Sequence, residues 1–274
     1  MEILILAVVT LPLLTALFLK VANRFLNELL TNFITINAAL LSVAVSFFMF
    51  GYLLLDKFKP IKFELFEWYP SPQIIFEFYL DGLSGVMMIL ISGLSLVIQL
   101  FSTSYMSKDE KYTKYFEYFN FFVFSMLLLV LSGNFLVMFF GWELVGLSSY
   151  LLISFWYEKN SAAKAGNKAF ILNRIGDFGF LIGLMMILNY FETFNFVNIF
   201  ESVLIKQPSN LDLIILFLLL GAFGKSAQFP LFSWLPDAME GPTPASALIH
   251  AATMVTAGVF MLVRVSPMLQ FSEL

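Results

Sequence analysis

The amino-acid sequence predicts an all-α polytopic membrane protein. Hydrophobic residues make up 60% of the 274 residues and charged residues only 12%, whereas soluble domains carry about a quarter charged residues. This apolar surface exceeds what one water-soluble core can hide. The apolar residues also occur in long runs, which favours spanning helices over the short alternating strands of a membrane barrel.

About eight runs approach the roughly 20 apolar residues that a helix needs to cross a bilayer. The first lacks a basic leading segment and a cleavage site, so we expect it to be a retained span. Only three residues separate the fourth run from the fifth, which predicts a tight antiparallel pair. The predicted spans are 3–19, 33–55, 82–102, 118–132, 134–155, 169–190, 211–235 and 242–265.

The segments between the runs predict the domain organisation. Residues 56–80 mix charges with aromatic residues at a period of two, which indicates a surface hairpin, and residues 191–210 form an acidic loop. The loops on the same side of the membrane as Lys20 carry more lysine and arginine than those on the other side, which marks the side of Lys20 as the inner one. We therefore place the N-terminus, at the other end of the first span, on the outer side. The expected parts are helices 1–2 (1–55), the hairpin (56–80), helix 3 with its inner loop (81–117), helices 4–8 (118–267) and the C-terminal end (268–274).

The composition excludes several classes of function. The chain has no cysteine, so disulfides, iron–sulfur ligation and thiol nucleophiles are excluded. It has no basic stripe for nucleic acid, and no glycine-rich nucleotide loop, HExxH motif or metal-ligand cluster. We therefore expect the chain to bind no cofactor or metal and to perform no redox chemistry itself.

Five ionisable residues remain inside the predicted spans. A charge at the bilayer centre costs about 2.5–3.5 kcal/mol on insertion scales, so such residues need partners, water or a change of protonation. Their rarity in spans points to function, although a purely structural ion pair is the alternative for the four that are not histidine. They are Glu143, Arg174, Asp177, Lys225 and His250.

Two of the motifs lie on regular helices. In FGWELVGLSSYLL, Gly146 and Tyr150 follow Glu143 on the same helix face. Arg174 and Asp177 are three residues apart, the spacing of an ion pair, and a pair that neutralises itself explains them as well as a functional role does.

The stretch GAFGKSAQFPLFSWLPDAMEGPTPAS predicts a helix that breaks inside the membrane. Pro230 cannot donate a hydrogen bond to the carbonyl of Ser226, and Pro236 has no N–H either. Broken backbone at this depth is tolerated only against protein or a wet cavity, and transporters build ion sites there. Lys225 lies just before the break. His250, the only histidine, is either a packed core residue or a proton relay, since imidazole exchanges protons near neutrality.

These motifs, together with KAFILNRIGDFGFLIG and PASALIHAATMVTAGVFML, resemble the antiporter-like membrane subunits of respiratory complex I. The segment SAQFPLFSWLPDAMEGPTP is most similar to the chain 5 branch of that family. The resemblance covers about residues 80–267.

The resemblance implies a proton-translocating module built on two inverted five-helix repeats, of which this chain holds the first. It implies that Glu143, Lys225 and His250 carry protons, supported by Arg174, Asp177, Ser226, Pro230, Pro236 and Tyr150. FMN, iron–sulfur clusters and ubiquinone would be bound by other subunits. Expected partners are membrane lipids, a chain 4-like neighbour and a second chain carrying the later helices and a lateral helix. The expected location is the mitochondrial inner membrane, or the plasma membrane of a bacterium.

We hypothesise from these residues that Glu143 and Lys225 form a charge pair whose separation controls the proton on Lys225. The same residues fit two alternatives. The chain could be a non-conducting structural piece of the membrane arm, or a subunit of a cation/proton antiporter.

Overall fold

The computed structural model describes residues 1–70, 73–205, 210–251 and 253–272 and is mostly helical in those ranges. Two 3₁₀ turns, Asn23–Phe25 and Ala238–Glu240, complete the helical elements. The helices are α1 (Glu2–Ala22), α2 (Glu28–Leu55), α3 (Gly82–Tyr105), α4 (Tyr112–Val130), α5 (Phe135–Ile153), α6 (Asn160–Phe191), α7 (Phe196–Ile205), α8 (Leu211–Lys225), α9 (Trp234–Asp237), α10 (Thr243–Ala251), α11 (Met254–Arg264) and α12 (Ser266–Leu269).

The all-α membrane fold is confirmed. Six helical stretches among the described residues are long and apolar enough to cross a bilayer: α1, α2, α3, α5, α6 and the stretch Thr243–Arg264. The fourth predicted span is the 19-residue α4, whose first turns carry Lys114 and Glu117. The seventh is broken as predicted, since α8 ends at Lys225.

The hairpin expected within residues 56–80 is also present. Strand β1 (Ile61–Pro70) pairs antiparallel with β2 (Gln73–Leu80), and the register shifts twice along the pair. Residues 71–72, between the two strands in the sequence, lie outside the described residues.

One expectation about the second half needs correction. The loop expected at 191–210 contains the short apolar helix α7, whose buried Phe196, Ile199 and Val203 dock it on the bundle. The eighth predicted span, 242–265, corresponds to the apolar stretch Thr243–Arg264, in which α10 and α11 lie on either side of Thr253. Residues 206–209 of that loop, residue 252 of that span, and residues 273–274 of the C-terminal end lie outside the described residues.

The core is centred on α4, which packs against α1, α3 and α5. Its phenylalanines at 116, 119 and 122 are fully buried. By contrast, α2 exposes large apolar side chains such as Phe33, Phe47 and Phe48, as expected of a face that meets lipid or another apolar surface. The turn between α4 and α5 is closed by Asn134, whose side chain accepts from the amide of Val137 at 2.8 Å.

The hairpin is fixed to the helices through a buried carboxylate. Glu77 accepts hydrogen bonds from the side-chain amides of Asn195 (2.7 Å) and Asn134 (3.4 Å). Burial raises the pKa of Glu77 above its usual value, although both amide donors oppose that effect. This contact joins β2 to the start of α5 and to the loop before α7.

A second polar contact joins α3 to α11. The guanidinium of Arg264, which is 6% exposed, donates to Asp81 at 2.5 and 3.1 Å and to the hydroxyl of Ser84 at 2.7 Å. Burial acts to raise the pKa of Asp81, but the hydrogen bonds and charge of Arg264 hold it below its usual value. Asp81 also caps α3 by accepting from the amide of Ser84.

Candidate functional site

Three helices bring four of the five ionisable residues together. Helix α5 carries Glu143, α6 carries Arg174 and Asp177, and α8 ends with Lys225. The close approach of α6 and α8 depends on glycine: a Cβ atom on Gly176 would lie 2.9 Å from the Cα of Gly224. Gly179 and Gly183, further along α6, also face α8.

Lys225 is completely buried. Its exposed fraction is 0%, and its ammonium lies 3.4 Å from Oδ2 of Asp177. The ring of Trp142 lies 5.8 Å away, within reach of a cation–π interaction. A Cβ atom on Gly146 would be 2.8 Å from the ammonium, so the absence of a side chain there makes room for Lys225.

Asp177 holds the centre of the group. Its Oδ1 accepts a hydrogen bond from the indole N–H of Trp142 at 2.7 Å, while its Oδ2 faces Lys225. Arg174 lies 3.8 Å from the same Oδ2, so the ion pair expected from the spacing of three residues is present.

Glu143 forms its ion pair with Arg174. The expectation that Glu143 pairs with Lys225 is therefore wrong for this conformation, because Asp177 takes the position next to the lysine. The side chains of Glu143 and Arg174 remain 25% and 36% exposed. The ring of Phe170 supports this pair: it lies 4.6 Å from the guanidinium and packs against the ring of Tyr150.

The four charges form a chain of alternating sign from the side of the bundle to its interior. The order is Glu143, Arg174, Asp177 and Lys225, and each neighbour in the order is an ion-pair partner. Two of these residues are buried and two are partly exposed. The arrangement can pass a change in charge at the surface to the buried lysine by small side-chain movements.

In a continuous helix, backbone amides would donate to the carbonyls next to Lys225. At the break, side chains donate to these carbonyls instead and so stabilise the non-helical backbone. The amide side chain of Gln228 donates to the carbonyl of Ser226, and the indole of Trp234 donates to that of Gly224 at 3.0 Å. The hydroxyl of Ser226 donates to the carbonyl of Val255 on α11 at 2.8 Å. Pro230 lies in the non-helical segment after Lys225, and Pro236 lies in the short helix α9.

His250 lies on α10, beside the same break. Its ring contacts that of Trp234 at a centroid distance of 6.4 Å, so Trp234 connects it with the last turn of α8. In the part of the chain that the structure describes, its Nε2 is buried and has no hydrogen-bond partner. Over the same residues, no group of three or more histidine, cysteine or acidic side chains could hold a metal ion.

Trp142 and the role of Gly146 were not predicted from the sequence. Both belong to the motif GWELVG, and a tryptophan next to a glutamate inside a span signals a hydrogen-bond donor that needs an acceptor at depth. Residue spacing alone did not show that the acceptor is Asp177, 35 positions away.

Two protein-family models match the chain. The family model described as "NADH:quinone oxidoreductase/Mrp antiporter, TM" matches residues 132–274. The model described as "NADH-Ubiquinone oxidoreductase (complex I), chain 5 N-terminus" matches residues 68–116.

Relatives from different organisms are similar to the chain. NADH-ubiquinone oxidoreductase chain 5 of Acanthamoeba castellanii is 44% identical over 96% of this chain and 40% of its own length. NADH-quinone oxidoreductase subunit L of Mycobacterium tuberculosis is 46% identical over 77% of this chain and 34% of its own length. The chain thus spans less than half the length of these relatives.

A solved structure has the same fold. The Mrp complex from Dietzia contains a chain that superimposes with a TM-score of 0.79 at 26% identity, covering 93% of this chain and 28% of the other.

Proposed function

Because the chain belongs to the membrane-protein family shared by NADH:quinone oxidoreductases and Mrp antiporters, we propose that it moves protons as part of the membrane arm of respiratory complex I. The family resemblance of its motifs is confirmed, and the chain is an integral membrane protein. The relatives named as complex I subunits support this assignment over others in the family.

The observation that carries the proposal is the buried Lys225 at the end of the broken helix. Desolvation favours the neutral amine, whereas the carboxylate of Asp177 at 3.4 Å favours the ammonium. A small change in the distance between the two therefore decides whether Lys225 holds or releases a proton.

Arg174 is the group that would change this balance. It now pairs with Glu143 and lies 3.8 Å from Asp177. A neighbouring module that draws Glu143 away would leave Arg174 to pair fully with Asp177, and the two cations would then compete for one carboxylate. Lys225 would release its proton through water along the break, toward His250.

The partners follow from the same residues. Glu143 and Arg174 are partly exposed at a depth where lipid-facing charges cost about 2.5–3.5 kcal/mol. We propose that another membrane-arm subunit, similar to chain 4, covers this pair and delivers the bias. Quinone reduction, with FMN, iron–sulfur clusters and ubiquinone, would take place in other subunits. The complex would lie in the mitochondrial inner membrane, or in the plasma membrane of a bacterium.

The experiment is to replace Lys225 with alanine in the intact complex and to measure protons pumped per NADH oxidised in sealed vesicles. We expect this ratio to fall while the complex still assembles. Lys164→Ala is the matched control, because Lys164 is an exposed lysine at the start of α6. An unchanged ratio in Lys225→Ala would refute the proposal.

The similarity to the Mrp complex supports one alternative, a cation/proton antiporter subunit. Sodium-dependent proton movement in the same vesicles, without NADH, would favour the antiporter. A purely structural role predicts that Lys225→Ala and Glu143→Gln leave pumping unchanged, while loss of the chain prevents assembly.

A further inference from the structure

A cavity lined by none of the four residues of the charge chain lies between the ends of α1, α4 and α5. Its volume is about 650 Å³, within the range of about 300–1,000 Å³ that holds small ligands. Nothing in the proposed proton path uses it. Its lining divides into a charged mouth and an apolar groove.

The mouth carries two lysines and one glutamate. Lys20 comes from the last turn of α1, and Lys114 and Glu117 come from the first turns of α4. Both lysines interact electrostatically with the Glu117 carboxylate. Two positive charges and one negative charge leave the mouth with a net charge of +1.

The apolar groove runs from this mouth along the helices. Leu13 lies seven residues before Lys20, which is about 10 Å along the helix axis. Leu17, between them, is 49% exposed, and Phe121 and Leu151 line the opposite wall. The buried Ala16 forms part of the floor. The groove therefore opens sideways, at the depth that acyl chains occupy.

We propose that this cavity binds an anionic phospholipid of the surrounding bilayer. The headgroup phosphate lies between Lys20 and Lys114, and one acyl chain follows the groove past Leu17 and Leu13. Lysine side chains near a membrane surface attract anionic lipids, and both lysines lie on the lysine-rich side of the chain. Glu117 opposes the phosphate and so limits the affinity.

The test uses the intact complex in phosphatidylcholine nanodiscs that contain a minor fraction of photoactivatable phosphatidylglycerol. A second preparation contains photoactivatable phosphatidylcholine instead. After illumination, labelled peptides of α1 and α4 are identified by mass spectrometry. The rate of NADH oxidation is used to compare equal amounts of assembled complex in the two preparations. We expect phosphatidylglycerol to label the peptides that contain Leu17 and Phe121 more strongly than phosphatidylcholine does.

Variants of opposite sign make the test independent of folding defects. Lys20→Gln and Lys114→Gln should each lower this labelling about fivefold, the effect of about 1 kcal/mol per lysine. Glu117→Gln should raise it, since the net charge of the mouth increases. Lys164→Gln, on the same side but outside the cavity, should change nothing.

Two outcomes would overturn the proposal. Equal labelling by both lipids, unaffected by the lysine variants, would mean that bulk lipid fills the groove. Absence of labelling of the Leu17 and Phe121 peptides by either lipid would mean that a protein segment, and not lipid, occupies the groove.

Discussion

Replacing Asp177 with asparagine tests whether this carboxylate sets the charge of Lys225. Asparagine has nearly the same shape and keeps an oxygen that can accept the hydrogen bond of Trp142. The change therefore removes the charge of Asp177 with little loss of packing.

The magnitude follows from two separations in the structure. With an effective dielectric constant of about 20, opposite charges at the 3.4 Å between Lys225 and Asp177 attract by about 5 kcal/mol. The pair of Arg174 and Asp177, at 3.8 Å, attracts by about 4 kcal/mol on the same basis. Asp177→Asn removes both, and the repulsion between Arg174 and Lys225 is then no longer offset. A fully buried ammonium without a carboxylate gives up its proton.

The assay is the number of protons pumped per NADH in sealed vesicles, with NADH oxidation recorded in the same sample. We expect Asp177→Asn to lower this ratio, because Lys225 can no longer be recharged. Trp142→Phe is the control: it removes the hydrogen bond to Asp177 but leaves every charge in place, and it should lower the ratio less. A ratio equal to that of the wild type in Asp177→Asn would refute the assignment of Asp177 as the partner of Lys225.

Three further predictions concern stability, measured by thermal unfolding and limited proteolysis of the purified complex. Gly176→Ala places a Cβ atom 2.9 Å from the α8 backbone and should destabilise the α6–α8 contact by about 1–3 kcal/mol. Asp81→Asn leaves the buried guanidinium of Arg264 without its carboxylate and should cost about 3 kcal/mol. The lowered pKa of Asp81 means that the wild type loses this stabilisation only as the pH falls through that pKa, and Asp81→Asn should abolish the dependence. Glu77→Ala leaves the amide of Asn195 without an acceptor and should loosen the hairpin by about 1–3 kcal/mol. Glu77→Gln should preserve the hairpin. Because the pKa of Glu77 is raised, the wild type should lose stability as the pH rises through that pKa, and Glu77→Gln should abolish this loss.

The elements that hydrophobicity and backbone chemistry control could be predicted from the sequence. The helices could be predicted from the long apolar runs, and the hairpin from the alternating aromatic residues of 61–70. Proline gave the break after Lys225, because a missing N–H acts locally. The ion pair between Arg174 and Asp177 was predictable for the same reason, since three residues along a helix fix the distance.

Contacts between distant helices could not be predicted in this way. Which carboxylate meets Lys225 depends on how α5 and α6 are rotated about their axes, and the apolar spans give little signal for that rotation. Glu143 was therefore assigned to Lys225 although Asp177 lies beside it. The contact between Asp81 and Arg264 joins residues 183 positions apart, and neither local motif indicates the other.

The packing of the site indicates which part of it can move. At the level of Gly176 and Gly224 the backbones of α6 and α8 are already in contact, so these helices cannot approach further, and separating them would open a cavity in a packed interior. A conformational change that reaches Lys225 must therefore pass through side chains. Arg174 is the long, partly exposed member of the charge chain, and its guanidinium already lies within 3.8 Å of the carboxylate that Lys225 needs. Under the proposed function, the transfer of that guanidinium from Glu143 to Asp177 is the coupling step, and it requires a movement of side-chain size in an otherwise rigid bundle.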